Sequence, residues 1–227
     1  MTGCATELVL VRHGETAWNR ELRIQGQLDT PLNDEGLRQA RAAARALAAE
    51  SGRWRLAPEP GRAPPALASS DLLRCRQTAE PIAAALGIEP AFDPRLRERA
   101  YGVFEGRTYP EVRRDMADRF ERWLARDPDF DVDGGETLRG FAARVEAAVR
   151  ELAEANAGRT LVLVTHGGVL DIVHRLARAL PLTVPRDWEI PNASLNRLRV
   201  AGGRFEIVAW GEVGHWRDAL DEIGPAP

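Results

Sequence analysis

Residues 8–14, LVLVRHG, and residues 161–168, LVLVTHGG, decide how this chain is read. Each is an apolar run ending in a polar residue, a histidine and glycine. An apolar run without alternation marks a strand buried on both faces, as in a parallel sheet covered by helices. In open α/β sheets, ligands gather beyond the carboxyl ends of the strands. If the two strands are neighbours, His13 and His166 face each other there. Taken singly, either histidine reads as a reactive group, a metal ligand or a loop residue; the chain has only four.

The rest of the sequence alternates strands with helices. Residues 7–11, 66–69 and 160–165 read as strands. Asn33 or Asp34 starts a helix with Leu37, Ala40, Ala44 and Leu47 on one face and Arg38, Arg41 and Arg45 on the other. Residues 74–86 form a helix closed by Gly87, and Thr137 caps a long one carrying Leu138, Phe141, Val145, Ala148 and Leu152, ended by Gly158. A further helix follows His166 to about Ala179. Residues 51–65 read as a surface loop, residues 107–126 as one or two helices, and residues 127–135 as a loop. Residues 192–200 and 204–210 flank Gly202-Gly203 as a hairpin that adds an antiparallel edge strand. The pattern predicts a three-layer α/β/α sandwich with a mainly parallel central sheet. With 227 residues, a single domain spanning 1–227 is expected.

Composition narrows the function. The net charge is -3, so no basic field draws nucleic acid or an anionic membrane. All 31 basic residues are arginine, a bias that a GC-rich genome accounts for. Any phosphate contact must therefore come from guanidinium forks or backbone amides. Cys4 and Cys75 suggest neither a disulfide framework nor a zinc site. No signal peptide or membrane-spanning run is evident, which makes a cytoplasmic protein the default.

Arg12 and Arg74 complete the strand-end picture. Guanidinium groups bind phosphate bidentately at any physiological pH. Beside His13 and His166 they make a phosphate pocket with an imidazole nitrogen available as nucleophile, and like-charge repulsion keeps that imidazole neutral. The helix after each histidine offers amides and a positive dipole end to the same anion.

Arg12-His13-Gly14-Glu15 resembles the signature of the histidine phosphatase superfamily, the phosphoglycerate mutase-like proteins. The likeness continues through Asn19, Gln25-Gly26, Pro31-Leu32 to Gly36, Gln39-Ala40, Ser70-Asp71-Leu72 with Arg74, and Gln77-Thr78-Ala79. Leu96-Arg97-Glu98 with Gly102, Phe104-Glu105-Gly106 and Thr165-His166-Gly167-Gly168 complete it, in family order. The resemblance implies a phosphoglycerate mutase-like fold. It also implies His13 as the nucleophile that becomes phosphohistidine, with Arg12, Arg74 and His166 holding the phosphoryl oxygens. Glu98 is implied as the acid that protonates the leaving group, its pKa raised by burial or by a carboxylate such as Glu15 or Glu105. Asn19, Gln25, Gly26 and Tyr101 are implied as substrate contacts. No metal and no cofactor is expected, because the arginines supply the charge.

The remaining polar residues read more plainly. His174 reads as structural, His215 beside Trp216 as surface or packing, and Arg76 and Arg99 as solvent-facing or secondary. Substrate choice is expected to lie in residues 107–135, a specificity insertion. That segment resembles the phosphatase branch, with Gly134-Gly135-Glu136-Thr137, more than the mutases, although Arg113-Arg114 offers basic residues. The expected activity is hydrolysis of a small phosphorylated metabolite. The alternatives are a cofactor-dependent phosphoglycerate mutase and a non-catalytic phosphate-binding regulator. Oligomeric state is left open, and a homodimer is compatible.

Overall fold

The apolar run at residues 8–11 is buried on both sides because its residues alternate between two helical layers. The computed structural model describes residues 4–57, 61, 63–216 and 221. In chain order the elements are β1 (Thr6–Arg12), α1 (Ala17–Arg20), α2 (Asp34–Ala49), β2 (Ala66–Ser69), α3 (Leu73–Leu86), β3 (Pro90–Phe92), α4 (Tyr109–Asp115), α5 (Ala117–Leu124), α6 (Leu138–Ala155), β4 (Thr160–Thr165), α7 (Gly167–Arg178), β5 (Leu195–Ala201) and β6 (Arg204–Glu212). Leu8, Leu10, Leu161 and Leu163 point to one face, against Phe141, Val145 and Val149 of α6 and Val169 and Val173 of α7. Val9, Val11, Val162 and Val164 point to the other, against Ala43, Ala44 and Leu47 of α2 and Cys75, Ala79 and Ile82 of α3. A period of two along each strand feeds both layers, so neither face reaches water.

The six strands lie in the order β3-β2-β4-β1-β5-β6. β1, β4, β2 and β3 run parallel, and β5 and β6 are antiparallel. The architecture is the expected mostly parallel α/β sandwich, with the closing hairpin adding β5 antiparallel to β1 and β6 antiparallel to β5 at the edge. β3 escapes the sequence reading because it is only three residues long and begins with proline. Residues 107–126 resolve into two helices that meet at Met116. The caps match expectation: Asn33 accepts from the Gly36 amide, Thr137 from the Gly140 amide, and Gly87 closes α3 at φ 64°. α6 ends slightly early, at an Asn156 cap, and Gly158 turns the chain into β4 at φ 81°.

The stretch 51–65 is not simply a surface loop. Trp54 and Leu56 are buried in the α2–α3 layer and seal the amino-terminal end of the sheet. Residues 58–60 and 62 of that stretch lie outside the described residues. A third, smaller core gathers Ile24, Phe104, Val112, Phe120, Phe130 and Val132 beneath α4 and α5. No helix among the described residues is long and apolar enough to cross a membrane.

Trp54 is the largest fully buried side chain of its layer, at 1% exposure. Truncation leaves a cavity that the flanking helices cannot close. Trp54→Ala is therefore expected to lower the unfolding free energy by about 3–5 kcal/mol, read as a lower urea midpoint at unchanged slope.

Candidate active site

The register between β1 and β4 places Arg12 opposite Thr165. The ladder runs on one step, with the His13 amide donating to the Thr165 carbonyl at 2.9 Å. Both histidines thus leave the sheet at the same edge, their ring centroids 5.3 Å apart at 62°. A cavity of about 880 Å³ opens there, lined by Arg12, His13, Arg74, Glu98 and Gly168. His166 is fully buried beside His13 and does not itself line the cavity.

His13 Nδ1 lies 2.7 Å from the Gly14 carbonyl. A carbonyl oxygen only accepts, so Nδ1 carries the proton and Nε2 keeps its lone pair. Burial, then Arg74 and Arg12, hold the His13 pKa well below the usual imidazole value. The neutral, nucleophilic form is therefore the resting form. Arg12 Nη1 donates to the Ile190 carbonyl at 2.6 Å. Arg74 Nη2 and Nη1 donate to the Gly26 and Leu28 carbonyls at 2.7 and 2.9 Å, while its buried Nε has no hydrogen-bond partner. These bonds fix both guanidinium planes before any ligand arrives.

Glu98 Oε2 accepts from the Gly168 amide at 2.9 Å, and Oε1 from its own neighbour, the Arg99 amide, at 2.8 Å. Burial raises its pKa and outweighs those amides and the cations Arg74 and Arg12, which pull it down. A raised pKa favours a carboxyl that holds its proton near neutrality. Any side chain at Gly168 overlaps the Glu98 carboxylate, so only glycine lets the acid cap α7. The amides expected to bind an anion directly are already taken: Gly14 N donates to Thr78 Oγ1, Glu15 N to Gln39 Oε1, and Gly168 N to Glu98. The positive charge at this end of the cavity comes from Arg12 and Arg74.

A profile of the histidine phosphatase superfamily (branch 1) matches residues 8–213. The chain belongs to that superfamily. It is 36% identical over 221 residues to phosphoglycerate mutase-like protein 4 of Arabidopsis thaliana, covering 96% of this chain and 88% of the relative. It is 33% identical over 213 residues to the metal-independent phosphoserine phosphatase of the same plant, covering 92% and 83%. Its fold matches the solved mycobacterial glucosyl-3-phosphoglycerate phosphatase with VO3 at a TM-score of 0.74, 31% identity, and coverage of 91% and 99%. It is a phosphatase-like enzyme.

The chain brings most of its sequence-predicted residues to this one cavity. Asn19, Gln25, Gly26 and Tyr101 all line it. Asn19 also shares a capping box with Thr16, and Gln25 Oε1 accepts from Thr30 Oγ1 at 2.7 Å. Glu15 and Glu105 are not what raises the Glu98 pKa. Glu15 accepts from Asn33 at 2.7 Å and pairs with Arg20, while Glu105 holds the Tyr101 and Gln27 amides. Of the two readings of Arg99, the secondary one fits: it is buried rather than solvent-facing, lines the cavity, and donates to the Glu136 carbonyl at 2.9 Å. Arg76 is exposed, as expected, and lies over Phe92. His174 stacks on Trp188, and His215 Nε2 meets the Ala193 carbonyl at 3.1 Å.

Supporting contacts surround these residues, some at positions the sequence pattern already marks and some not. Ser70 Oγ lies 2.8 Å from His166 Nε2, and Cys75 Sγ lies 3.4 Å from the same nitrogen. Burial pushes the Cys75 thiol up to about 12, so it stays protonated. Arg144 donates to the carbonyls of Arg95, Arg97 and Glu98, and its charge is met by Glu136 at 2.7 Å. Arg97 pairs with Asp71 at 2.6 Å. The charged run 95–99 thus turns Glu98 and Arg99 inward while Arg95 and Arg97 pair outside. The Ser70-Asp71 signal was visible in sequence; that of Arg144 was not.

All four histidines are held below the usual imidazole pKa, chiefly by burial, His174 at about 4. The unfolded chain takes up these protons at a higher pH than the folded one. Stability is therefore fully present above about pH 6.5 and is lost as pH falls below it, by roughly 1.4 kcal/mol per pH unit for each of the two site histidines. Glu98 runs the other way, losing stability as pH rises through its raised value. Urea midpoints measured from pH 7.5 to pH 5 should fall, and His166→Gln should flatten the slope; parallel profiles contradict this assignment.

Proposed function

We propose that this enzyme hydrolyses phosphomonoesters of small metabolites through a phosphohistidine on His13. The observation that carries this reading is the His13 tautomer. Its Nδ1 proton is held on the Gly14 carbonyl, leaving the Nε2 lone pair beside two fixed guanidinium groups. In the first step His13 Nε2 attacks phosphorus, the ester P–O bond breaks, and Glu98 gives its proton to the leaving oxygen. In the second, the Glu98 carboxylate takes a proton from water, the resulting hydroxide attacks phosphorus, and the P–N bond breaks to release phosphate. Arg12, Arg74 and His166 stabilise the charge on the phosphoryl oxygens. Fixed donors of this kind are each worth about 10²–10³ in rate. The raised Glu98 pKa supports its use as acid first and base second. Asn19, Gln25, Gly26 and Tyr101 contact the substrate in this reading, and residues 107–135 shape the space for its alcohol. Neither step needs a metal or a cofactor. Among the described residues no three His, Cys, Asp or Glu side chains form a metal-binding group.

A mutase would pass the phosphoryl group back to a second hydroxyl instead of to water. Arg113 and Arg114 at the cavity favour that variant. Phosphatase is preferred because Arg114 is spent on Asp115 at 2.7 Å and Arg113 lies over the Phe120 ring.

His13→Ala is expected to lower kcat on an aryl phosphate by about 10³-fold or more. Radiolabelled substrate should leave an acid-labile, base-stable label on wild type and none on the variant. Glu98→Gln should slow alkyl esters more than aryl esters, whose leaving groups need no proton, and the wild-type alkyl rate should fall as pH rises through the Glu98 value. Equal slow turnover by wild type and His13→Ala contradicts the proposal. Formation of 2-phosphoglycerate from 3-phosphoglycerate and trace bisphosphoglycerate, faster than free phosphate, assigns the mutase variant.

A further inference from the structure

One peptide plane joins Arg74 to a carboxylate that no step above uses. The Arg74 side chain is buried, and its guanidinium is held by two carbonyls of the loop after α1, Gly26 at 2.7 Å and Leu28 at 2.9 Å. The Gly26 carbonyl belongs to the same peptide group as the Gln27 amide. That amide donates to Glu105 Oε1 at 3.0 Å, and the Tyr101 amide donates to the same oxygen at 2.8 Å. Glu105 does not itself line the cavity. It follows Phe104, which is fully buried in the small core beneath α4 and α5.

A trans peptide group is planar, so its N–H and C=O point to opposite sides and turn together. Half a turn of the Gly26–Gln27 peptide aims the Gln27 N–H at Arg74 and the Gly26 carbonyl at Glu105. Both hydrogen bonds are then lost, and each charge meets a dipole of the wrong sign. Gly26 has no side chain to resist that rotation. It cannot be given one either, because it sits at φ 53° and a Cβ there overlaps the Glu105 carboxylate. The carboxylate therefore supplies the constraint that the glycine lacks. It also polarises the peptide, since an anion on the N–H strengthens the carbonyl as an acceptor for Arg74.

We infer that Glu105 is the positioning residue for Arg74: it locks the Gly26–Gln27 peptide with its carbonyl toward the guanidinium, and so fixes where that guanidinium meets phosphate. The second amide on Glu105, that of Tyr101, leads to the cavity wall instead, and experiment separates the two arms. The inference rests on the phosphatase reading for its rates, though not for phosphate binding.

Glu105→Ala should lower kcat/KM on an aryl phosphate by about 10²-fold, the usual loss when a fixed group is misplaced by about 1 Å. Glu105→Gln, whose side-chain oxygen still accepts from both amides, should recover most of that loss. In an Arg74→Met background, Glu105→Ala should cost nothing further, because its route to the phosphate is already gone. Dissociation constants for inorganic phosphate, measured by calorimetry, should rise in Glu105→Ala and return in Glu105→Gln, with no turnover involved. Losses that multiply in the double variant assign the effect to the Tyr101 arm or to general packing and overturn the inference. Equal losses in the Ala and Gln variants, or unchanged phosphate binding in Glu105→Ala, overturn it as well. If wild type hydrolyses no ester while phosphate binding follows the expected pattern, the lock stands and the phosphatase reading falls.

Discussion

The cavity depends on one backbone pairing, that of β1 with β4 in parallel, Arg12 opposite Thr165. Because side chains alternate along a strand, a slip of one residue reverses every face. It sends Leu8 and Leu10 into the α2–α3 layer, Val9 and Val11 into the α6–α7 layer, and drives the two histidines apart. The continuous apolar composition of both strands does not choose this register by itself. The polar residues at the strand ends do, since Arg12 finds the Ile190 carbonyl and Thr165 Oγ1 the Leu96 carbonyl only in this alignment.

Burial then sets the protonation states. In water His13 would titrate near neutrality and Glu98 would be ionised. Enclosed beside Arg12 and Arg74, the imidazole sheds its proton and the carboxyl tends to keep one. A base without its proton and an acid with one are the complementary pair that phosphoryl transfer to nitrogen needs. The same enclosure forces the support system to be extensive. Arg144, Glu136, Asp71 and Arg97 are largely occupied in holding the Glu98 segment still.

Much of this was legible in the sequence, for physical reasons. Strands covered on both faces leave unbroken apolar runs, and helices facing a sheet leave a stripe at every third or fourth residue. The meeting of Arg12, His13, Arg74, Glu98 and His166 followed from strand-end logic and from the family pattern. What stayed hidden depends on distant partners. Arg99 looked like one more surface charge in 95–99, and its burial rests on carbonyls at Phe130 and Glu136. Trp54 sat in a stretch whose Pro, Gly and Arg content reads as solvent-facing. The cause of the Glu98 shift was narrowed to burial or a carboxylate neighbour, and only coordinates separate the two.

The small core beneath α4 and α5 has a different consequence. Ile24, Phe104, Val112 and Phe120 pack with one another and belong to neither sheet core. Phe120 and Trp123 nevertheless face the cavity that His13 enters from the sheet. The wall of the cavity and its sheet-edge floor therefore rest on different apolar cores, joined where Arg74 holds the Gly26 and Leu28 carbonyls. A substitution in the small core is felt first by the wall and reaches the sheet edge only through that joint.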